Sequence, residues 1–316
     1  MLITVLDKPT FTIGDINLDN LNSLGNVSYY GILSREEVKK ACYNSPIVIC
    51  NKTLFDRDMI SSLPNLKYIG LTATGYNNVD LAYAKERGIT VTNVPGYSTV
   101  DVAQHVFAFI LHYANKIDLY DKTVKDGDWL KSKTFCYFDY PLTELSGKTL
   151  GVFGYGDIGK RVAKIGDAFG MNVIVCTRTK PENCPYTLVD KETLFENSDF
   201  ITLHCPLNEQ TLNLVNEQTL SLMKKSAVLI NTSRGPVVNE KALRQALDNG
   251  VIAHAYLDVL EVEPMSSSCA LIGAKNLTLT PHVAWAPVEA RQRLIDIVAK
   301  NVKSFINNTP QNVVNK

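Results

Sequence analysis

The sequence predicts an α/β protein built from doubly wound parallel sheets. Residues 1–100 alternate short β-rich runs with helix-like stretches, and a second alternating series begins near Gly147. In that second series a glycine-rich turn stands between an apolar run and a helix-like stretch. Strand and helix in alternation form βαβ units with parallel strands. At 316 residues, the chain is long enough for two domains or for one large domain.

The first series contains four predicted strands and two predicted helices, separated by turns such as residues 62–65 and Gly88. The strands are residues 3–6, 46–50, 66–71 and 89–92, and the helices are residues 34–42 and 80–87. A long apolar helix is predicted over residues 101–120, and it connects the first series to the second.

The second series contains six predicted strands with helices between them, which is typical of a doubly wound sheet. The strands are residues 149–153, 173–176, 200–203, 227–231, 252–258 and 277–280. The last segment, residues 287–306, is predicted to be helical because its apolar residues share one helix face.

Composition excludes several classes of protein. Thirty-two basic and thirty-two acidic residues leave no formal net charge, so nothing favours binding to nucleic acid or to an anionic membrane. With 45% hydrophobic and 20% charged residues, the chain has the composition of a globular enzyme. The first residues lack a secretory leader, and the longest apolar run is too short to cross a bilayer. The seven cysteines lack metal-binding spacing, so we expect free thiols, no metal site and a cytoplasmic protein.

The glycine-rich turn fits the GxGxxG pattern of dinucleotide-binding proteins. It reads Gly154-Tyr155-Gly156-Asp157-Ile158-Gly159. The first glycine permits a tight turn, the second lets the backbone approach a pyrophosphate, and the third lets helix and strand pack closely. Amide groups at the helix N-terminus face the anion. The order of strand, turn and helix favours a dinucleotide site over a glycine-rich turn that binds nothing.

The residues after the next predicted strand bear on which dinucleotide binds. An acidic residue here would hold the ribose 2′-hydroxyl of NAD, but the sequence has Thr177, Arg178, Thr179 and Lys180. A guanidinium binds a 2′-phosphate through paired hydrogen bonds, and no carboxylate is present to repel that phosphate. The sequence therefore favours NADP over NAD. The alternative is that Arg178 is a solvated residue that stacks on the adenine of either cofactor.

Three functional side chains follow three predicted strands of the second series, namely Arg234, Glu263 and His282. Ligands of open parallel sheets bind outside the carboxyl ends of the strands, so these side chains would share one site. Adding hydride to a 2-oxo acid needs a cation for the carboxylate and carbonyl, a proton donor, and a carboxylate that holds the donor. Arg234, His282 and Glu263 would supply these groups in that order.

Each of the three residues also has a structural interpretation. An arginine after a strand is often a surface ion-pair member, a glutamate before proline often belongs to a solvated turn, and a Pro-His step can simply shape a loop. Their joint position beside a dinucleotide turn favours the functional interpretation. The remaining histidines are expected to have structural roles; they are His105, His112, His204 and His254.

Together these residues resemble the D-isomer-specific 2-hydroxyacid dehydrogenases, and the resemblance extends over nearly the whole chain. It is carried by residues 154–159, 231–235, 258–264 and 281–286, in that order. Within the family, the segments most similar to glycerate dehydrogenases, which are also called hydroxypyruvate reductases, are residues 75–80, 93–99 and 135–142.

The resemblance implies two Rossmann-like, doubly wound parallel-sheet domains with a cleft between them. Residues 1–100 and 287–316 would form a flavodoxin-like substrate domain, and residues 101–286 a dinucleotide-binding Rossmann domain. Closure of the cleft would exclude water around the hydride. Members of the family are usually homodimers through the helix near residues 101–120 and the arm after it. The aromatic stretch at residues 129–140 would then contribute to the dimer contact.

The resemblance also implies roles for individual residues. The three side chains that follow strands match the catalytic trio of the family, and Arg234 would also bind the substrate. The backbone of Thr74 and Gly75 would bind the substrate carboxylate, and Asp258 would face the nicotinamide amide. The other residues that would line the cofactor are His204, Pro206, Thr232 and Ser233.

Two positions depart from the family pattern. Many members have aspartate where Thr177 stands, so an NAD preference does not carry over, and Gln104 occupies a place often held by glutamate. The implied reaction is the reduction of hydroxypyruvate or glyoxylate to D-glycerate or glycolate, or of another 2-oxo acid. A dinucleotide-sensing protein like the corepressors that resemble this family is disfavoured by the intact trio and the neutral charge. Formate oxidation is disfavoured because it needs no histidine paired with glutamate.

Overall fold

The computed structural model describes residues 1–179 and 181–316, so Lys180 lies outside the described residues. The chain divides into two compact units. Unit 1 comprises Met1–Ser98 and Trp285–Lys316, and unit 2 comprises Thr99–Ala284. Each unit is built on an open sheet whose paired strands are parallel, which confirms the predicted α/β class with two doubly wound sheets.

Strands and helices alternate along most of the chain. The strands are β1 (Leu2–Val5), β2 (Asn26–Tyr29), β3 (Ile47–Cys50), β4 (Tyr68–Leu71), β5 (Thr90–Thr92), β6 (Thr149–Phe153), β7 (Asn172–Cys176), β8 (Thr187–Leu188), β9 (Phe200–Leu203), β10 (Val228–Asn231), β11 (His254–Leu257) and β12 (Leu277–Leu279). The helices are α1 (Asp19–Asn22), α2 (Arg35–Cys42), α3 (Arg57–Ser61), α4 (Leu81–Glu86), α5 (Thr99–Asn115), α6 (Ile117–Lys125), α7 (Asp128–Lys131), α8 (Asp157–Ala168), α9 (Lys191–Asn197), α10 (Glu217–Leu222), α11 (Glu240–Asp248) and α12 (Val288–Ile306). Short 3-10 helices follow β1 and β10, at Lys8–Thr10 and Gly235–Val237.

Unit 1 contains a five-stranded sheet in the order β2-β1-β3-β4-β5. Its central strand, β3, is buried along its whole length because a hydrophobic cluster covers each face of the sheet. Ile47 and Ile49 pack into one cluster, and Val48 and Cys50 pack into the other, since side chains alternate along a strand. The first of these clusters includes the buried face of α12.

The edge strand β2 was not predicted from the sequence. Its residues alternate between exposed and half-buried, and β1 is its neighbour in the sheet. A short strand at a sheet edge needs little apolar surface, so no apolar run marks it in the sequence. The register with β1 instead decides that this segment is extended.

Unit 2 contains a seven-stranded sheet in the order β12-β11-β10-β9-β6-β7-β8. All six predicted strands are present, and the seventh, β8, has only two residues, both exposed at the sheet edge. The strand order reverses between β9 and β6, so the switch point of the sheet lies beside the glycine-rich turn that follows β6. Loops after β6, β9, β10 and β11 therefore share one edge of the sheet.

The single helix predicted over residues 101–120 is wrong, because the structure has two helices there, α5 and α6, separated by Lys116. Lys116 has φ 51°, in the left-handed region that ends a right-handed helix. Its ammonium lies 3.9 Å from the centre of the Tyr113 ring, a cation–π contact that stabilises the break. Neither helix, nor any other in the described part of the chain, has the length and apolar character of a membrane span.

Candidate active site

The glycine-rich turn follows β6 and leads into α8, which begins at Asp157. Gly154 has φ 96°, and a Cβ atom there would lie 2.7 Å from the backbone carbonyl carbon of His204. A Cβ atom on Gly159 would lie 2.0 Å from the carbonyl oxygen of Gly154. Among the described atoms, by contrast, none lies within 4 Å of the Cβ position of Gly156. The turn is closed against the protein on two sides and open at Gly156, which fits the approach of a pyrophosphate.

A buried hydroxyl after β10 lacks a hydrogen-bond partner. Within the described residues, Thr232 Oγ1 is the one buried side-chain polar atom without such a partner. Its neighbour Ser233 donates to Asn231 Oδ1 at 2.8 Å, so that hydroxyl is satisfied within the protein. A buried polar group left unpaired is costly. Thr232 therefore fits a polar group of a bound cofactor.

His204 and Pro206 follow β9, next to the glycine-rich turn. His204 Nε2 lies 2.8 Å from Thr202 Oγ1, and burial lowers the pKa of His204 to about 3. The imidazole is therefore neutral near pH 7. The carbonyl oxygen of Pro206 accepts a hydrogen bond from Thr211 Oγ1 at 2.6 Å, which fixes the start of this loop. A dinucleotide bound at the turn would meet neutral groups here.

The segment expected to select the dinucleotide follows β7. Thr177 is half-buried, and its hydroxyl donates to the carbonyl oxygen of Thr179 at 3.4 Å. Arg178 and Thr179 are exposed. This small turn presents a guanidinium at the carboxyl end of β7, with hydroxyl groups on both sides of it.

His282 and Glu263 form a close side-chain pair at this edge of the sheet. His282 Nδ1 lies 2.6 Å from Glu263 Oε2, and about 30% of each side chain is exposed to solvent. Glu263 Oε1 accepts from the backbone amide of Leu260 at 3.1 Å, which orients the carboxylate. His282 has φ 55°, a strained conformation for a non-glycine residue, and its backbone amide donates to the carbonyl oxygen of Asp258 at 2.8 Å.

Arg234 stands three residues after the end of β10, directly before the 3-10 turn. Its side chain is exposed, and Nη1 donates to the carbonyl oxygen of Ser233 at 2.7 Å. The next residue, Gly235, packs so closely that a Cβ atom there would lie 1.8 Å from the carbonyl oxygen of Leu260. The turn that carries Arg234 therefore packs against the backbone of the segment that leads to Glu263.

Asp258 has a structural task that the sequence analysis missed. Its buried carboxylate accepts hydrogen bonds from the backbone amides of Val283 and Ala284, both at 2.9 Å, and from Thr280 Oγ1 at 2.5 Å. His105 Nε2 lies 3.1 Å from the same threonine hydroxyl, and burial lowers the pKa of His105. Asp258 thus holds the loop that carries His282, while its expected contact with the nicotinamide amide stays a prediction.

A second buried carboxylate, also missed, holds the segment that carries Glu263. Glu240, the first residue of α11, is only 6% exposed, and its Oε1 accepts from the backbone amide of Glu261 at 2.7 Å. In return, Glu261 Oε1 accepts from the backbone amide of Glu240 at 3.1 Å. Cys269 Sγ donates to Glu240 Oε2 at 3.3 Å. We call this reciprocal pair the Glu240–Glu261 clasp. Its members lie 21 residues apart, so no local sequence pattern predicts it.

Thr74 and Gly75 belong to unit 1 and follow β4. Thr74 Oγ1 donates to the carbonyl oxygen of Val94 at 2.8 Å, and the carbonyl oxygen of Thr74 accepts from Asn93 Nδ2 at 2.7 Å. These bonds fix the segment after β4 against the segment after β5. The backbone at Thr74 is consequently held by two hydrogen bonds at the carboxyl edge of the sheet.

The fold and the site define a class of protein. A doubly wound parallel sheet with a GxGxxG turn at its switch point, beside a paired histidine and glutamate, is the arrangement of a nicotinamide-dependent oxidoreductase. Among the described residues, no group of three or more histidine, cysteine, aspartate or glutamate side chains is arranged to hold a metal ion.

The chain belongs to the D-isomer-specific 2-hydroxyacid dehydrogenases, because a model of the NAD-binding domain of that family matches residues 107–284. It is therefore an NAD(P)-dependent oxidoreductase, as the resemblance in the sequence implied. The nicotinamide dinucleotide that the sequence predicted is the cofactor of this family. Two features of the described residues fit such a cofactor, namely the unpaired hydroxyl of Thr232 and the open space at Gly156.

Relatives that cover 90% or more of the chain agree with the family. A hydroxypyruvate reductase from Blautia hydrogenotrophica is 40% identical, with 100% of both chains covered. A glycerate dehydrogenase from Methylorubrum extorquens is 43% identical over 90% of both chains. The crystal structure of an NADPH-dependent glyoxylate/hydroxypyruvate reductase from Sinorhizobium meliloti, in complex with NADP and malonate, superposes with a TM-score of 0.84. That structure is 30% identical and covers 99% of this chain and 96% of its own.

Proposed function

We propose that this enzyme reduces hydroxypyruvate and glyoxylate to D-glycerate and glycolate, and that it uses NADPH in preference to NADH. The observation that carries the proposal is the 2.6 Å contact between His282 Nδ1 and Glu263 Oε2 at the carboxyl edge of the unit 2 sheet. The names of the relatives from Blautia hydrogenotrophica and Methylorubrum extorquens support these substrates.

The catalytic roles follow from the chemistry of the three side chains. When bound, the reduced nicotinamide supplies a hydride to the carbonyl carbon of the 2-oxo acid. Arg234 binds the carboxylate and polarises the carbonyl, because a guanidinium offers paired donors to both oxygens. His282 donates a proton from Nε2 to the developing alkoxide, since Nδ1 is bonded to Glu263. Glu263 keeps the ring oriented through its contact with Nδ1; in the reverse reaction neutral His282 is the base.

The remaining unit 2 residues bind the cofactor in this proposal. The turn at residues 154–159 holds the pyrophosphate, and the unpaired hydroxyl of Thr232 donates a hydrogen bond to the cofactor. The lining is completed by His204, Pro206, Ser233 and Asp258.

NADPH preference rests on the turn after β7. Arg178 binds the 2′-phosphate with help from the hydroxyls of Thr177 and Thr179. The relative from Sinorhizobium meliloti, which is described as NADPH-dependent and was crystallised with NADP, supports this part of the proposal.

Unit 1 binds the substrate in this proposal. The backbone of Thr74 and Gly75 donates to the substrate carboxylate, and hydrogen bonds to Asn93 and Val94 keep that segment in position. Preorganised donors lose little freedom when the ligand binds.

A homodimer is the second part of the proposal. The arm around α7 exposes three large apolar side chains, with Leu130 92%, Phe135 88% and Phe138 81% accessible. Exposed apolar groups in one segment suggest a protein partner, and a second copy of the chain would bury them. The seven free cysteines suit the reducing cytoplasm, where we place the enzyme. Light scattering of the wild type and of Phe138→Ser would test the dimer, with a monomer expected for the variant.

The first experiment is steady-state kinetics with hydroxypyruvate, with NADPH and separately with NADH. A higher kcat/KM with NADPH supports the assigned role of Arg178, whereas a preference for NADH with good turnover contradicts that role alone. Turnover of other 2-oxo acids without turnover of hydroxypyruvate or glyoxylate would contradict the proposed substrates. Product stereochemistry, read with an enzyme specific for D-glycerate, completes the assignment.

A further inference from the structure

Residues 312–315, which follow α12, cover the open edge of the unit 1 sheet. β5 is the last strand of that sheet, in the order β2-β1-β3-β4-β5. Thr92 of β5 forms an antiparallel bridge with Val313, and the backbone amide of Val314 donates to the carbonyl oxygen of Val91 at 2.9 Å. The chain thus covers a strand edge that would otherwise be unpaired. We call residues 312–315 the edge segment.

A buried asparagine on α12 contacts the edge segment. Asn301 is 1% exposed and lies on the same buried helix face as Val298 and Val302. A buried amide is costly unless its donor and its acceptor are both paired. Asn301 Nδ2 donates to the carbonyl oxygen of Asn93 at 3.0 Å, and Oδ1 accepts from Asn312 Nδ2 at 2.9 Å. Because a carbonyl oxygen can only accept, the amide of Asn301 has one orientation.

Asn93, directly after β5, extends this connection to the segment after β4. Its Nδ2 atom donates to the carbonyl oxygen of Thr74 at 2.7 Å, and its backbone amide donates to the carbonyl oxygen of Asn312 at 3.2 Å. Asn93 is also buried, with 8% exposed. Three side chains therefore donate in one direction, toward Thr74. We call them the asparagine relay, which consists of Asn312, Asn301 and Asn93.

The last bond of the relay fixes the peptide group between Thr74 and Gly75. The carbonyl group of Thr74 and the backbone N–H of Gly75 belong to one planar unit, in which they point in opposite directions. A donor on the carbonyl oxygen therefore sets the direction of the Gly75 N–H. The same hydrogen bond polarises the peptide group, which makes the N–H a stronger donor.

We propose that the asparagine relay positions the Thr74–Gly75 peptide group, so that the edge segment sets the affinity of the enzyme for the carboxylate of a 2-oxo acid. This inference rests on the proposed function and adds three positioning residues that act through Thr74. A backbone donor binds an anion more tightly when its direction is fixed beforehand, because less freedom is lost on binding. Loss of a bond in the relay weakens every substrate that has this carboxylate, whatever group its C3 carries.

The test removes one donor from each of two asparagines in the edge segment. Asn312→Asp keeps the size of the side chain and the tolerance for φ 54°, but it has no donor for Asn301. Asn315→Asp is the matched control. Asn315 Nδ2 donates to the carbonyl oxygen of Ile89 at 2.8 Å, and Oδ1 accepts from the Val91 amide at 3.0 Å. The control thus loses one donor in the same segment, outside the relay.

We expect Asn312→Asp to raise KM for hydroxypyruvate and for glyoxylate by the same factor, about threefold to tenfold, because both substrates have the carboxylate. We expect kcat, and KM for NADPH, to stay within about twofold, since the lost contact is equal in the ground state and the transition state. Asn315→Asp should change each constant by less than about twofold and should lower Tm as much as Asn312→Asp does. Asn301→Leu, which breaks the relay without adding a charge, should raise both KM values at least as much.

The outcomes separate this inference from the proposed function. A rise in both KM values that occurs in Asn312→Asp and Asn301→Leu but not in Asn315→Asp supports the relay. A rise of equal size in the control, a rise for one substrate only, or no rise in either relay variant would overturn the positioning role and leave the dehydrogenase proposal intact. A wild type that reduces no 2-oxo acid would overturn the proposed function, and this inference with it.

Discussion

The two units share an architecture and differ in the chemistry that they place at the carboxyl edge of the sheet. All five histidines of the chain lie in unit 2, and unit 1 has none. The imidazole groups are thus confined to the unit that matches the NAD-binding domain. Unit 1 instead holds the loops at the carboxyl edge of its sheet by hydrogen bonds.

Both units hold a loop at the carboxyl edge of the sheet in the same way. In unit 1, Asp7 accepts hydrogen bonds from three backbone amides of the loop after β3, at residues 51–53. In unit 2, Asp258 accepts the amides of Val283 and Ala284, next to His282. A buried aspartate after a strand fixes a neighbouring loop in each case, because an amide cluster satisfies a carboxylate without a counter-ion. Both units therefore use a buried aspartate to position a loop, whereas only unit 2 contains histidines that could transfer a proton.

Removing the imidazole of unit 2 should have the largest effect. We expect His282→Ala to lower kcat for hydroxypyruvate by about 10²- to 10⁴-fold, the usual contribution of a general acid, and to leave the affinity for NADPH within about twofold. Stopped-flow turnover and nicotinamide fluorescence titration measure the two quantities. His112→Asn is the control, because His112 is an exposed histidine that binds Tyr256 and Asp118 and lies outside the site. Near-normal turnover by His282→Ala would contradict the assignment of His282 as the proton donor.

As the pH is lowered, unit 2 should begin to lose stability at a higher pH than unit 1. Burial lowers the pKa of His204 to about 3 and that of His254 to about 4. Between these values and the unfolded pKa of about 6.5, the unfolded chain binds protons that the folded unit does not, so the free energy of unfolding decreases as pH falls. The two groups together remove up to about 3 kcal/mol at pH 5.5.

In unit 1 the corresponding group is a carboxylate. Hydrogen bonds from Arg291 hold the pKa of Asp15 well below its usual range, so its stabilising contribution is lost only as pH falls below about 4. Hydrogen exchange followed by mass spectrometry at pH 7 and 5.5 resolves the units, once rates are corrected for the intrinsic effect of pH. Equal loss of protection in both units would contradict the comparison.

The turn after β7 should separate the two dinucleotides. We expect Arg178→Ala to raise KM for NADPH by about tenfold and to change KM for NADH by less than about threefold. Only NADPH has a 2′-phosphate that the guanidinium could bind. Arg161→Ala, an exposed arginine on α8, is the matched control. Equal weakening of both cofactors would favour stacking of Arg178 on adenine.

The smallest effect is expected from the Glu240–Glu261 clasp. Glu240→Ala removes the acceptor for the Glu261 amide and lets the Glu263 segment shift, so kcat should fall by about fivefold while the affinity for NADPH is unchanged. Glu240→Gln keeps an acceptor oxygen and should restore most of kcat. Glu217→Ala is the control, since Glu217 also begins a helix of unit 2 but is exposed. A loss in Glu240→Gln as large as in Glu240→Ala would exclude the positioning role.

Much of the fold could be predicted because its signals are local. Apolar runs located all the unit 2 strands except β8, and the strand before the glycine-rich turn was predicted with its bounds intact. β2 and β8 were missed because edge strands have little apolar surface. The break at Lys116 was missed because a left-handed residue other than glycine has no compositional mark.

The sequence by itself determined the α/β class, the glycine-rich turn, and the placement of Arg234, Glu263 and His282 after strands, since each depends on residues that are near one another in the chain. Only the tertiary structure decided which carboxylates hold the site. Asp7 reaches Asn51 across 44 residues, and Glu240 reaches Glu261 across 21. The physical reason is that a buried carboxylate is satisfied by backbone amides that the fold brings to it, and an amide has no residue type to identify it in a sequence.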